Sequence, residues 1–309
     1  MSDPLAVIAG LPGVPDAVQS ARSAVDRLYG HRVLRRRGPE VSAESALRGA
    51  RASAALEGAD VALETLRSGE AESLVAAGAL RASAEIGRLG ATWRTAPRQV
   101  LARLHALAAV GIIPDPLLGR PRTDASSGTR SATDPGAHRD EQAAGRTHPD
   151  AAGVVVPGPG ADAGDAADVD RPGSATDVLG IGPAPGAAAA AARLTSLVTL
   201  ITTPTRAPAL VLAAVVHAEL AAVRPFGTAD GLVARAAERL TLVEFGLDPK
   251  SLVAVEVGHH DLADAYAESL RGYLKGTGEG VAAWVRHCAA AVEVGAREAT
   301  AICEALQRG

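Results

Sequence analysis

Between Ala209 and Val223 the chain carries only two polar residues, His217 and Glu219. A helix that is apolar around its whole circumference has no face to offer water. It must lie inside a fold, with other elements packed on every side. Pro225 ends this one, because its ring removes a backbone donor and biases the preceding residue away from helical angles. Residues 232–244 then resume an amphipathic helical pattern, with Asp230 and Gly231 as loop and helix-start residues. The apolar stretch is too short and too interrupted to span a bilayer, so no membrane association is expected.

The elements around that helix are expected to be helical too. The hydrophobic share is 47% but the aromatic share only 2%. The core must therefore be built from Ala, Leu and Val, a palette that suits close helix–helix packing. Helical spacing runs over 15–29, 42–66, 70–89, 96–110, 187–200, 262–274 and 281–306, with Ser42 and Glu44 resembling a start signal and Asp248 and Pro249 opening a further element. The fold class read from this is all-α. Residues 111–122 are turn-rich.

The stretch 123–185 differs in character. It is dense in Gly, Pro, Ser, Asp and Ala and has no sustained period, a composition that buries too little surface to offset ordering entropy. It is read as a disordered central insertion, in which residues 154–156 are the only strand-like run. The chain divides into an N-terminal helical extension (1–40), a helical segment (41–122), the insertion (123–185) and a helical core (186–309). A net charge of -4 gives no pull toward nucleic acid, and the basic run 31–37 is read as a solvated face. Cys288 and Cys303 stand several turns apart on one helical stretch, which excludes a disulfide between them without a bend. No basic segment followed by an apolar run opens the sequence, so no secretory signal is expected and the location read is cytoplasmic. Oligomeric state is not legible.

The joint between the two central helices is the candidate site. Small residues feeding a helix N-terminus bring free N–H groups and the positive end of the dipole together, which is an anion site or simply a capped joint. Residues 224–235, Arg-Pro-Phe-Gly-Thr-Ala-Asp-Gly-Leu-Val-Ala-Arg, resemble the Fic (Fido) motif H-P-F-x-[DE]-G-N-G-R-x-x-R in degenerate form. Residues 53–58, Ser-Ala-Ala-Leu-Glu-Gly, resemble the same family's inhibitory helix, [ST]-x-x-x-E-[GN]. Tyr266, Leu270 and Trp284 are spaced like the helices that come after the motif. The resemblance covers roughly 50–122 and 193–290, and implies a Fic-like helical bundle with an inhibitory-type helix placed before the motif.

In the resembled family the motif histidine takes a proton from a target hydroxyl, which attacks the α-phosphate of ATP. Here that position is Arg224, a permanent cation that cannot serve as the base. Thr228 stands where an acidic residue would hold Mg²⁺, Leu232 replaces the first arginine, and Asp230 puts negative charge where phosphate would sit. Ala229 in place of a glycine narrows the loop's backbone freedom. Phe226, Gly231 and Arg235 are retained. Ser53, Glu57 and Gly58 match the regulatory motif, and the resemblance implies a Glu57–Arg235 ion pair; otherwise Glu57 is a solvated helix residue. ATP and Mg²⁺ are implied as cofactors by the resemblance but weakened by Thr228, Asp230 and Leu232.

The reading is a Fic-like protein with a degraded AMP-transfer site that retains a pocket for a nucleotide, an anion or a protein partner. Its alternatives are an active adenylyltransferase or other phosphate-transferring enzyme using non-standard residues, and an interaction module with a collapsed pocket. Three further side chains leave alternatives open. Arg224 pairs with Asp230 or Glu219, or stands as a second cation beside Arg235. His217 is a satisfied core histidine or a catalytic one. His259, His260 and Asp261 form a cluster by adjacency, but neighbouring residues point different ways, so no metal is expected there.

Overall fold

The structure, a computed structural model, describes residues 3–123 and 179–308. Regular structure among them is helical: α1 (Pro4–Ala9), α2 (Val14–Tyr29), α3 (Leu34–Ala55), α4 (Leu63–Ser68), α5 (Leu74–Trp93), α6 (Pro97–Ala109), α7 (Ala187–Thr202), α8 (Ala209–Val223), α9 (Asp230–Glu244), α10 (Val255–Asp261), α11 (Ala263–Leu274) and α12 (Gly278–Arg308). α8 is the hub. All but Ala209 and Glu219 of its residues are buried, and α9, α7, α12, α1 and α11 enclose it. Trp284 of α12 donates its indole N–H to the Ala214 carbonyl of α8 at 2.7 Å. One apolar core runs from Leu5 to Cys303 and takes residues from both ends of the chain.

The scarcity of aromatics is met by bringing backbones close together. A Cβ on Gly78 of α5 would collide with the Ala108 carbonyl of α6, and one on Gly258 of α10 with the Ala291 backbone of α12. Where large rings are used, they bridge helices through hydrogen bonds. Trp93 of α5 donates to Thr241 Oγ1 of α9 at 3.0 Å, with both atoms buried. The first described residues are tied down as well: Asp3 accepts from the Leu5 and Ala6 amides and, through its second oxygen, from the Thr205 hydroxyl at 2.7 Å.

Three boundaries differ from those expected. The helix read over 42–66 begins at Leu34, kinks at Arg37 (φ -117, ψ 18) and ends at Ala55. Ser42 does not cap it; its hydroxyl donates to the Ser251 carbonyl. Pro39 is tolerated because the kink puts it in the first turn of the helical segment beyond Arg37. The stop is set by Gly58 at φ +83, with the Ala59 amide donating back to the Ala54 carbonyl at 2.9 Å. This is a left-handed C-terminal cap that places Glu57 just past the helix end. Ser73 caps α5, so the segment expected from residue 70 starts at Leu74. Asp248 starts no helix. Its carboxylate accepts from the Leu252 and Val253 amides and from the Tyr29 hydroxyl, and it shapes the turn before α10. The strand-like run 154–156, like most of the expected insertion, lies outside the described residues.

Candidate functional site

The site is the joint between α8 and α9 together with the end of α3. Arg224 closes α8 in the left-handed region (φ 43), its amide donating to the Leu220 carbonyl at 2.9 Å. That conformation costs a non-glycine residue roughly 1–2 kcal/mol. Neither side-chain partner expected for Arg224 is made. Glu219 is held by Arg193 at 2.9 Å and by the Tyr273 hydroxyl at 2.9 Å, and Asp230 is turned to the loop. The Arg224 guanidinium instead donates to the Gly182 carbonyl, leaving its Nε buried without a hydrogen-bond partner.

Arg122, which nothing in the sequence singled out, anchors the joint. Its amide donates to the Pro225 carbonyl at 2.8 Å, its Nε to the Arg224 carbonyl at 2.8 Å, and its terminal nitrogen to the carbonyls of Val223 and Pro185. A cation on the last carbonyls of α8 meets the negative end of that helix. Phe226 has its reason for sitting in a loop: its ring stacks on His105 of α6 at 4.1 Å and an angle of 5°. His105 accepts the Gly119 amide on Nδ1 at 2.9 Å, and burial lowers its pKa to about 4.

Asp230 turns its own side chain back onto the loop amides. Oδ1 accepts from the Phe226 amide at 3.0 Å and Oδ2 from the Gly227 amide at 2.7 Å, at the start of α9. Burial pushes its pKa up to about 7, against those two amides and the nearby Arg122 and Arg224, which favour the charged form. Ala229 before it takes φ 54, the geometry for which a glycine is the usual choice. Thr228 is partly exposed. Leu232 is buried with Ala50, Ala54, Leu66, Ala79 and Ala108 in a second apolar cluster.

Arg235, one helical turn on, is fully buried. Its Nε donates to Ser53 Oγ at 2.8 Å, and one terminal nitrogen donates to the Ser53 carbonyl at 3.0 Å and to Glu57 Oε1 at 2.6 Å. Burial opposes its charge, while Glu57 and Tyr266 more than restore it, so its pKa is raised. Helix α3 thus reaches across to the loop, and residues 178 positions apart in sequence form an ion pair. Gly231 is explained by the same contact, since a Cβ there would run into Glu57 Oε1. Ser53, Glu57, Gly58, Arg224, Phe226, Asp230, Gly231 and Arg235 therefore share one locality.

Behind Arg235 lies a polar chain that sequence reading did not assemble. Arg235 donates to the Tyr266 hydroxyl at 3.5 Å, which lies 2.8 Å from His217 Nε2. His217 Nδ1 and His259 Nε2 stand 2.6 and 2.7 Å from the same Glu238 oxygen, Oε2, and His259 Nδ1 is 3.0 Å from His287 Nε2. His217 is fully hydrogen-bonded in the core, and burial lowers its pKa to about 4. The adjacent trio at 259–261 does not assemble: His260 is partly exposed and faces Asp261, while His259 turns inward. Glu238 was missed because a charged residue between apolar helix positions reads like any solvated glutamate.

These elements define an all-helical fold in which an N-terminal helix closes over the joint of two central helices. No protein-family profile matches the sequence, and no curated protein matches it. Among solved structures, a Fic family protein of Desulfovibrio desulfuricans G20 is similar over 93% of this chain and 74% of its own, with a TM-score of 0.59 at 17% identity. The fold is thus the helical Fic fold. No helix among the described residues is long and apolar enough to cross a membrane.

Proposed function

We propose that this chain is a Fic-fold protein that has lost AMP transfer and works by binding, with its former nucleotide site held shut by two of its own carboxylates. The observation that carries this is the placement of Asp230 on the Phe226 and Gly227 amides, 3.0 and 2.7 Å away, where a loop at a helix N-terminus would otherwise take a phosphate. Glu57 on Arg235 is the second closure. Arg224 has no lone pair with which to accept a target's proton, and Leu232 offers no phosphate clamp. The ligand class that competes with Asp230 and Glu57 is anionic, a nucleotide phosphate or a partner's carboxylate.

Incubation with α-labelled ATP and Mg²⁺ tests the loss of transfer. Neither the wild-type chain nor the Glu57→Gly variant is expected to label itself or proteins in a lysate; labelling by the variant overturns the reading in favour of a repressed transferase. Calorimetric titration with ATP tests binding. Glu57→Gly should bind at least about tenfold more tightly than wild type, since it frees the buried guanidinium. No binding to either leaves the interaction module with a collapsed pocket.

A further inference from the structure

We infer that His217, Glu238 and His259 form a structural binding site for a zinc-class divalent cation, pinning α8, α9 and α10 together beneath the motif loop. The inference does not depend on the reading of the loop. His217 Nδ1, Glu238 Oε2 and His259 Nε2 come from three different helices and lie within 4.8 Å of one another, all buried. Two imidazoles and a carboxylate suit zinc and its neighbours, not Mg²⁺ or Ca²⁺.

The surroundings favour this reading over a plain hydrogen-bonded core in two ways. Among the described residues no Lys or Arg touches the Glu238 carboxylate, although it is only 1% exposed. Buried carboxylates ordinarily have a cation against them. Each candidate imidazole also presents its remote nitrogen to a group able to accept its hydrogen. His217 Nε2 meets the Tyr266 oxygen at 2.8 Å, and His259 Nδ1 meets His287 Nε2 at 3.0 Å. That outer arrangement orients metal-bound histidines and fixes their tautomers. With the ion bound, each imidazole moves its hydrogen to the remote nitrogen and gives its inner lone pair to the metal.

Tetrahedral zinc with bonds of about 2.0–2.1 Å holds its ligand atoms about 3.3 Å apart. The two nitrogens, now 2.6 and 2.7 Å from Oε2, therefore draw back from it by about 0.6 Å on binding. His287, which meets His259, also borders a cleft of about 640 Å³ between α11 and α12. The burial of all three ligands leaves no room for a substrate, so the role is structural.

The test uses the tag-free full chain, stripped with chelator and dialysed against zinc, with cobalt as the spectroscopic probe. About one equivalent of zinc should remain bound. Cobalt should give visible absorption bands that the metal-free chain lacks, and saturating zinc should raise Tm by roughly 5–10 °C. His259→Ala should drop the bound metal below about a tenth of an equivalent, while His260→Ala should keep it. Should the histidine variant fail to fold, the wild-type cobalt spectrum and zinc-dependent Tm decide. A wild-type chain with less than a tenth of an equivalent and no Tm shift, or metal lost equally in His260→Ala, overturns the site.

Discussion

Gly231 leaves open the space that the Glu57 carboxylate fills. A Cβ on this second residue of α9 would overlap Oε1 of Glu57, the atom that meets Arg235 at 2.6 Å. Gly231→Ala should therefore expel Glu57 and destabilise the protein by about 1–3 kcal/mol, discounted because the glutamate is partly exposed. In a Glu57→Gly background the same substitution should cost under about 1 kcal/mol. Urea denaturation of the four proteins closes the double-mutant cycle. Equal costs in both backgrounds would show that the glycine serves something else.

Ala229 holds φ 54 without being a glycine. Relief of left-handed strain, roughly 1–2 kcal/mol, exceeds the roughly 0.5–1 kcal/mol of extra chain entropy that glycine loses on folding. Ala229→Gly should raise stability by about 0.5 kcal/mol, read as a higher denaturation midpoint at unchanged slope. A lower midpoint contradicts the strain.

Leu232→Arg restores a residue of the resembled motif but places a guanidinium among the alanines and leucines of the second apolar cluster. It should cost at least about 3 kcal/mol and bring no gain in ATP affinity. A stable variant with tighter ATP binding would mean that the side chain finds the phosphate site.

Removing the Asp230 carboxylate leaves the Phe226 and Gly227 amides without their acceptor. Asp230→Ala should lose about 1–3 kcal/mol and regain part of it in sulfate or phosphate. Thermal melts in chloride and in sulfate at matched ionic strength, with wild type as the reference, would show whether the loop takes an external anion.

His105 gives a pH signature. Its folded pKa of about 4 lies below the ordinary 6.5 because of burial. The unfolded chain therefore binds a proton that the folded chain refuses between those values. Its contribution is fully present above about pH 6.5 and declines as pH falls toward 4, by about 1.4 kcal/mol per unit. Comparing wild type with His105→Gln across that range should show a stability–pH slope shallower by one proton in the variant. Parallel slopes would refute it.

The ion pair was legible because Glu57 sits in a six-residue pattern and Arg235 ends another. The termination of α3 at Ala55 was not, although Gly58 was in plain view: its left-handed turn becomes a helix stop only once the next segment has somewhere else to pack. Arg122 could not be found from sequence, since its role is to reach four carbonyls that the fold brings together. The Arg224 pairings failed because Glu219 already had Arg193 and Tyr273, partners that sequence spacing could not supply.

Local chemistry, then, is what the amino-acid order determined. An all-apolar α8 had to be central, Pro225 had to end it, and Arg224 could not be a base, since each of these rests on one side chain's own properties. The tertiary structure decided which groups meet. Asp230 turned back onto the loop amides, Leu232 entered an apolar cluster, and His217, Glu238 and His259 converged from three helices. Partners so far apart along the chain are chosen by the competition among all packings of α3, α8, α9 and α10, and no single segment records its outcome.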